Sequence, residues 1–137
     1  MGMYTEIHFA SDLKKDTPQE IIDLLHDLIN GHAISPSRIP KHEFFETDRC
    51  HILFEGNSAY FDAFISFTLT KNEFSEAWLL QGTTNLKNYN REIQKFIDWI
   101  TPYLDKHSGE YIGHIWYEEW DKPVPILFKT PIEYPAY

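Results

Sequence analysis

Two residues of the sequence, His51 and Asp62, have the types needed for acid–base chemistry. Gly56-Asn57 lies between two apolar runs and predicts a two-residue hairpin turn, which places His51 opposite Asp62 on the outer sheet face, near Tyr60 and Phe64. A carboxylate beside an imidazole can orient the ring tautomer and make a general base. The same pair is also an ordinary cross-strand contact worth roughly 0.2–1 kcal/mol, so the sequence offers it only as a catalytic candidate.

Acidic and aromatic residues alternate near the end of the chain, in the order Trp116-Tyr117-Glu118-Glu119-Trp120-Asp121. Glu118 and Asp121 could act as the acid pair of a glycosidase-like hydrolase, or hold a divalent cation. Aromatic rings among carboxylates also make a protein-binding patch in which Trp and Tyr are the anchors. The structural alternative is a hairpin whose aromatics face inward while its acids are solvated.

The sequence contains no pattern that supports metal binding or thiol chemistry. None of the seven histidines has a partner at the spacing of an HxxxH, HExxH or CxxC motif, so we expect no metal site and no cofactor. The single cysteine, Cys50, falls on the apolar face of a predicted strand, where it acts as a small hydrophobe. Phosphate-binding glycine motifs and the GxSxG motif are absent too, which disfavours nucleotide binding and acyl transfer.

Charge and composition exclude several classes of partner. The chain has 12 Lys and Arg against 21 Asp and Glu, and its net charge of -9 repels phosphate backbones. We therefore expect no nucleic-acid partner. The simplest explanation of the negative charge is solubility, and the charge could also suit a protein partner with a basic surface. The chain shows neither a signal-peptide pattern nor an apolar run long enough for a bilayer, so we expect no membrane partner.

The cysteine content and the length predict the location and the domain organisation. One cysteine fits a reducing, cytoplasmic location, and 137 residues predict a single domain, residues 1–137.

The N-terminal part of the chain predicts a strand followed by a helix. Alternation over residues 4–13 favours a strand whose buried face carries Ile7 and Phe9. Thr17-Pro18-Gln19-Glu20 has the pattern of a capping box, which would begin a helix. An apolar stripe at helical spacing follows, and Asn30-Gly31 predicts a left-handed cap at the helix end.

The middle of the chain predicts an antiparallel meander of three strands. They cover residues 50–55, 59–70 and 75–82. A second two-residue turn, at Asn72-Glu73, would place Trp78 opposite Phe67 and extend one apolar face across all three strands. Residues 31–48, which precede the meander, contain two prolines and are interpreted as a long surface loop.

The last part of the chain predicts a second helix and a final hairpin. The helix covers residues 86–101, and its apolar stripe consists of Leu86, Tyr89, Ile93, Phe96, Ile97 and Ile100. The hairpin strands cover 111–118 and 124–129, with Pro125 indicating an edge strand. The element order is therefore β-α-β-β-β-α-β-β. This order predicts an α+β fold, a two-layer sandwich with a mostly antiparallel sheet and two helices on one face.

Two stretches resemble small uncharacterised proteins of bacterial and prophage type. The first is Leu13-Lys14-Lys15-Asp16-Thr17-Pro18 before the first helix, and the second runs from Gly113 to Pro125 and contains Tyr117-Glu118-Glu119. The resemblance covers roughly a quarter of the chain. It implies no catalytic residues, because the group has no assigned activity, and it favours a cytoplasmic accessory protein.

These features together favour a non-enzymatic protein that binds another protein. The candidate interaction residues are Tyr60, Phe64, Glu118, Glu119, Trp120 and Asp121. One version is an immunity or phage-inhibitor role, in which an acidic surface occludes a basic nucleic-acid-binding site. The alternatives are a small hydrolase using His51, Asp62 or Glu118, and a small-molecule binder using Tyr60 and Phe64. A homodimer through the edge strand near Val124 is also open.

Overall fold

The computed structural model describes residues 3–47, 50–55 and 65–135. Within these ranges the strands are β1 (Thr5–Asp12), β2 (Ile65–Lys71), β3 (Trp78–Leu86), β4 (Tyr111–Tyr117) and β5 (Val124–Leu127). The α-helices are α1 (Gln19–Asn30), α2 (Glu43–Glu46), α3 (Ile52–Glu55) and α4 (Glu92–Ile100), with short 3-10 helices at Pro36–Arg38 and Thr101–Tyr103. Asp62, Tyr60 and Phe64, and with them the predicted Gly56-Asn57 turn, lie outside the described residues.

The strands form one antiparallel sheet in the order β2-β3-β1-β4-β5. The strand predicted over residues 4–13 is confirmed as β1 at the centre of the sheet, with Ile7 and Phe9 fully buried on one face. The final hairpin is confirmed as β4 and β5. Pro125 is exposed on the edge strand, as predicted for a residue that cannot donate to a ladder. The pairing of two copies near Val124 stays a prediction.

The helices cover the face of the sheet that carries Ile7 and Phe9, so the predicted α+β sandwich is confirmed. The Phe96 ring of α4 meets the Phe9 ring edge-on at 5.5 Å, and Phe54 of α3 meets Phe67 of β2 at 5.3 Å. Interlocked aromatic rings of this kind fill a core densely and add to the burial of apolar surface. We call the opposite face, which carries Glu6, His8, Asn85 and His114, the open face.

Helix α1 ends as predicted but begins differently. Gly31 takes the left-handed conformation, with φ of 72°, and caps the C-terminus. The predicted capping box is wrong, because Pro18 is the N-cap and makes no side-chain hydrogen bond to the helix. The Thr17 hydroxyl instead donates to the Lys14 carbonyl at 2.6 Å. The Thr17 hydroxyl, which the sequence pattern assigned to the helix, therefore stabilises the preceding turn instead.

The predicted strand over residues 50–55 is wrong, because the chain forms the short helix α3 there. Leu53 and Phe54 are both buried, although neighbours in a strand point to opposite faces. Their amides donate locally, to the carbonyls of Cys50 and His51, rather than to a partner strand. An apolar run of this length fits a buried helical turn as well as a strand, which is why periodicity could not decide.

The hairpin between β2 and β3 is confirmed, but its predicted register is wrong. Leu69 lies opposite Leu80, whereas the two-residue turn at Asn72-Glu73 would have placed Trp78 opposite Phe67. The connection is longer because the Asn72 side chain accepts hydrogen bonds from the amides of Phe74 and Ser75 and forms its own turn. The slip is an even number of residues, so Phe67 and Leu80 both stay in the core.

The predicted second helix begins six residues late. Residues 83–86, which lead into its predicted first turn, instead extend β3 and pair with Thr5–His8 of β1. Helix α4 begins at Glu92, where the Asn88 side chain accepts from the Ile93 amide at 2.9 Å. The apolar stripe was correct from Ile93 onward, but Tyr89 lies outside the helix and is 64% exposed. Within the described part of the chain, no helix is both long and apolar enough to cross a bilayer.

Candidate functional site

A groove of about 560 Å³ opens where three parts of the chain meet. One wall is the approach to α4, with Tyr89, Arg91 and Gln94. The other walls are the end of β4 with the turn that follows it, and the C-terminal segment around Tyr134. The volume lies in the range of pockets that hold a small ligand or several side chains of a partner.

Hydrogen bonds between polar side chains fix the C-terminal segment against α4. Asn88 caps the helix through its carbonyl oxygen and donates through its amide to Gln94 at 2.8 Å. The Gln94 amide in turn donates to the Tyr134 hydroxyl at 3.0 Å. Asn88, which accepts a hydrogen bond from the first turn of α4, therefore also orients one side of the groove, and little ordering remains to be done when a ligand binds.

Tyr117, Trp120 and Tyr134 line the groove and form what we call the aromatic corner. The rings of Tyr117 and Trp120 are 5.9 Å apart and inclined by 70°, and those of Trp120 and Tyr134 are 6.0 Å apart and inclined by 53°. The turn that carries Trp120 is held by its amide, which donates to the Tyr117 carbonyl, and by its carbonyl, which accepts from the Trp116 indole at 2.9 Å. Inclined rings at this separation are in a favourable contact geometry, so the three rings stabilise one another.

Carboxylates surround the aromatic corner. Glu119 is exposed and lines the groove, and Asp121 and Glu133, next in sequence to Trp120 and Tyr134, are exposed as well. Glu118 is half-buried and accepts a hydrogen bond from the Tyr4 amide at 3.1 Å, which ties it to the start of β1. Among the described residues, the one cationic side chain that lines the groove is Arg91, on the wall of α4. The hairpin side of the groove is therefore acidic.

The structure brings together part of the interaction surface expected from the sequence. Trp120 and Glu119 line the groove, and Asp121 follows directly after them in the same turn. Glu118 has its structural contact with Tyr4. Tyr60 and Phe64 are outside the described residues, so whether they join this surface stays a prediction.

The structure also locates His51 and Cys50, the residues considered for acid–base and thiol chemistry. His51 is exposed where α3 begins, so the strand register that would have set it opposite Asp62 does not exist on its side. Cys50 is half-buried against the core, and this burial raises the pKa of its thiol, which keeps the sulfur protonated and unreactive.

Several groove residues were missed by sequence reasoning, among them Tyr89, Gln94 and Tyr134. Tyr89 and Gln94 fell inside a predicted helix, where Tyr89 counted as part of the buried stripe. Tyr134 follows Pro131 in a segment without periodicity, so no pattern could aim it at Trp120. Asn88 does not supply a sufficient signal, because a cap at Asn88 would begin the helix at Tyr89, whereas the N-cap is Arg91.

A second polar group lies on the open face, where β1 and β4 run side by side. His8 and His114 are opposite each other and their rings stack at 5.0 Å. His8 Nδ1 lies 2.6 Å from the Thr83 hydroxyl, and His114 Nδ1 lies 3.2 Å from the Tyr111 hydroxyl. We call this group, with Glu6, the histidine pair cluster. Alternation in the sequence placed His8 on this face but offered no reason to expect His114 beside it.

Burial and charge set the chemistry of this cluster. Glu6 is only 6% exposed, and its burial raises the pKa of its carboxyl group. Partial burial, assisted by the neighbouring His8, lowers the pKa of His114, and Glu6 at 3.7 Å from its Nε2 does not reverse this. Burial therefore shifts both groups toward their neutral forms, a pattern that also occurs at acid–base sites.

Asn85, which lies opposite Glu6 on the same face, is fully buried. Neither its amide nitrogen nor its oxygen has a hydrogen-bond partner among the described residues. A buried polar group without a partner is uncommon in folded proteins because its desolvation is not compensated. Metal binding does not explain the cluster, since residues 3–47, 50–55 and 65–135 contain no group of three or more His, Cys, Asp or Glu arranged to hold an ion.

Comparisons with protein-family models, with curated proteins and with solved structures find no match to this chain. The groove and the histidine pair cluster are therefore weighed on their geometry. The groove is concave and open, with aromatic walls and a charged rim, which is the form that binding sites take. The cluster is a flatter strand surface whose Glu6 and Thr83 are buried.

Proposed function

We propose that this protein is a non-catalytic binding module that recognises another protein through the groove. The partner would insert a segment that carries positive charge between the hairpin, the start of α4 and Tyr134. The observation that supports this most strongly is that the aromatic corner and the exposed carboxylate of Glu119 line one preformed cavity. Trp and Tyr in such settings carry much of the binding free energy of protein interfaces.

Charge over the whole chain supports the same proposal. The net charge of -9 steers a basic partner toward the protein and disfavours acidic ones. An accessory, immunity or inhibitor role follows if that basic surface is one with which the partner binds nucleic acid. The single cysteine supports a reducing, cytoplasmic setting for this interaction.

Selection from a random heptapeptide display library tests the proposal and does not require the partner to be identified first. The immobilised wild-type protein should enrich peptides that contain Arg or Lys. Trp120→Ala should lose this enrichment, because it removes the central ring of the aromatic corner. Phe74→Ala is the matched control, since Phe74 is 99% exposed on the hairpin at the other end of the sheet.

The proposal is contradicted if the wild-type protein enriches no consensus, or if Trp120→Ala, shown by circular dichroism to be folded, enriches the same peptides. Enrichment that disappears with Phe74→Ala but persists in Trp120→Ala would place the binding site on the β2–β3 hairpin instead. Each outcome is read from sequencing of the selected pools.

A small hydrolase is the alternative proposal. Of its candidates His51, Asp62 and Glu118, the last is engaged by the Tyr4 amide, and the observation that favours proton transfer lies instead at Glu6 and His114. If the alternative holds, the wild-type protein hydrolyses members of a panel of p-nitrophenyl esters and glycosides, and His114→Gln abolishes that activity. Equal rates for both proteins would remove the alternative.

A further inference from the structure

We propose that the groove selects one basic side chain of the partner and holds its cation against the aromatic corner. Glu119 supplies the opposing charge, and Arg91 marks the far wall that the cation avoids. The inference rests on the proposed function and specifies the chemistry of the group that is bound. Arginine and lysine share this chemistry, and the probes below tell them apart.

The geometry of the rings supports a cation rather than a planar ligand. Tyr117 and Tyr134 both incline steeply to Trp120, with neighbouring centroids about 6 Å apart. An ammonium or guanidinium group is attracted to the face of an aromatic ring when it lies within about 6 Å of the centroid, and Trp gives the strongest attraction. A compact charge can lie over the exposed face of one ring of the corner, whereas the ring edges, which carry partial positive charge, do not attract it. A flat ligand would need a parallel slot.

The charges around the aromatic corner support the same conclusion. Glu119 lines the groove, and the exposed carboxylates of Asp121 and Glu133 flank Trp120 and Tyr134. An anionic ligand would suit Arg91 but would meet the Glu119 carboxylate, which also lines the groove. A neutral apolar side chain would use the rings and leave the carboxylates without a role. A basic side chain uses both the rings and the carboxylates.

The Arg91 side chain limits where the cation can lie. It is exposed on the wall of α4, and its backbone takes the left-handed conformation with φ of 57°, directly before the first helical residue. A bound cation is repelled from that wall and attracted to the hairpin wall, so one basic residue is held at one position. We therefore expect selected peptides to share a single Arg or Lys rather than a basic run.

The experiment uses three amino-acid probes that differ in charge but not greatly in length. They are N-acetyl-arginine methylamide, N-acetyl-lysine methylamide and the uncharged N-acetyl-norleucine methylamide. The Trp120 indole resonance of the ¹⁵N-labelled full chain is followed by NMR, and it is assigned by its loss in Trp120→Phe. The cationic probes should shift this resonance with a dissociation constant about five-fold or more below that of norleucine. The ratio between arginine and lysine identifies the preferred source.

Salt and charge removal provide the second readout. The advantage of the cationic probes over norleucine should shrink as ionic strength rises, because the Glu119 contribution is screened. Glu119→Gln should reduce that advantage about two-fold or more and leave norleucine unchanged. Glu73→Gln, an equivalent exposed change on the β2–β3 hairpin, is the matched control and should alter neither probe.

The inference is overturned if norleucine binds as tightly as the cations, if Glu119→Gln has no effect on their ratio, or if no probe shifts the Trp120 resonance up to its solubility limit. These failures are distinguishable from failure of the proposed function. A groove that still enriches peptides dependent on Trp120, but without Arg or Lys, remains a binding site for a different side chain. If the protein enriches no peptides at all, both proposals are wrong.

Discussion

On the open face, buried polar side chains differ in whether they have a hydrogen-bonding partner, and this difference affects the stability of the protein. His8, Thr83 and His114 are half-buried or buried and each has a hydrogen-bonding partner at its ring or hydroxyl. Asn85, two residues from Thr83 on the same strand, is buried more deeply and has none among the described residues. Because a buried hydrogen bond and a buried unpaired group have opposite effects on folding, neighbouring substitutions here should differ in sign.

We expect Asn85→Leu to raise the free energy of unfolding by about 1–2 kcal/mol, since an apolar side chain of similar size removes the uncompensated desolvation. Thr83→Val should lower it by about 1 kcal/mol, because His8 loses its partner. Urea unfolding followed by tryptophan fluorescence measures both. A destabilised Asn85→Leu would mean that the Asn85 amide makes an interaction of its own.

The pH dependence of stability should report His114. Its pKa is lowered in the folded state, so below the ordinary value of 6.5 the unfolded chain binds the proton more readily. Stability should therefore fall as pH drops through 6.5 and stop falling at the folded pKa. Glu6 acts in the opposite sense, because its raised pKa makes folding more favourable as the pH falls toward 4.5.

Urea midpoints measured between about pH 8 and pH 5.5 check this prediction, because that range spans the ordinary titration of histidine. His114→Gln cannot titrate and should show a flatter profile over the upper part of that range. His107→Gln is the control, because His107 is an exposed loop residue. Identical slopes for the wild type and His114→Gln would show that burial does not govern this histidine.

Among the elements, those that bury one face were predictable and those that depend on local hydrogen bonds were not. Alternation identified β1, and the apolar stripe identified the body of α4. The short helix α3 was missed because Leu53 and Phe54 are apolar neighbours in a run too short for periodicity to separate helix from strand. The start of α4 was missed because its N-cap is Arg91, a residue type that does not favour that position, while the side chain that accepts from the first turn is the more distant Asn88.

Close backbone approach at a glycine controls how β1 and β4 pack. A Cβ atom at Gly113 of β4 would lie 1.9 Å from the His8 carbonyl oxygen of β1. We therefore expect Gly113→Ala to destabilise the protein by about 3 kcal/mol or more, since backbone must move. Gly109→Ala is the control, with open space around its Cβ and only its left-handed φ of 88° to oppose it, a cost of about 1 kcal/mol.

Thermal unfolding followed by circular dichroism compares the two variants. The melting temperature should fall much further for Gly113→Ala than for Gly109→Ala. Comparable melting temperatures would mean that the β1–β4 pair adjusts without loss, and that the register around His8 and His114 is less constrained than their distances indicate.

At the scale of the whole molecule, the two ends of the sheet have different characters. The groove lies at the end where β1 begins, and the exposed Phe74 hairpin lies at the end where β1 finishes, roughly 25 Å away for a strand of eight residues. The sequence predicted the layers and the acidic hairpin. It did not predict the groove, because that cavity needs Tyr134 and Gln94 to meet across forty residues. Only folding reveals such a contact.

The most direct test of the proposed function is chemical-shift mapping of the ¹⁵N-labelled protein with the most enriched heptapeptide. The groove predicts the largest perturbations at Tyr89, Gln94, Tyr117 and Trp120, with the Phe74 hairpin unchanged. Perturbations centred on His8 and His114 of the open face, or on residues 72–77, would contradict the assignment of the groove as the binding site.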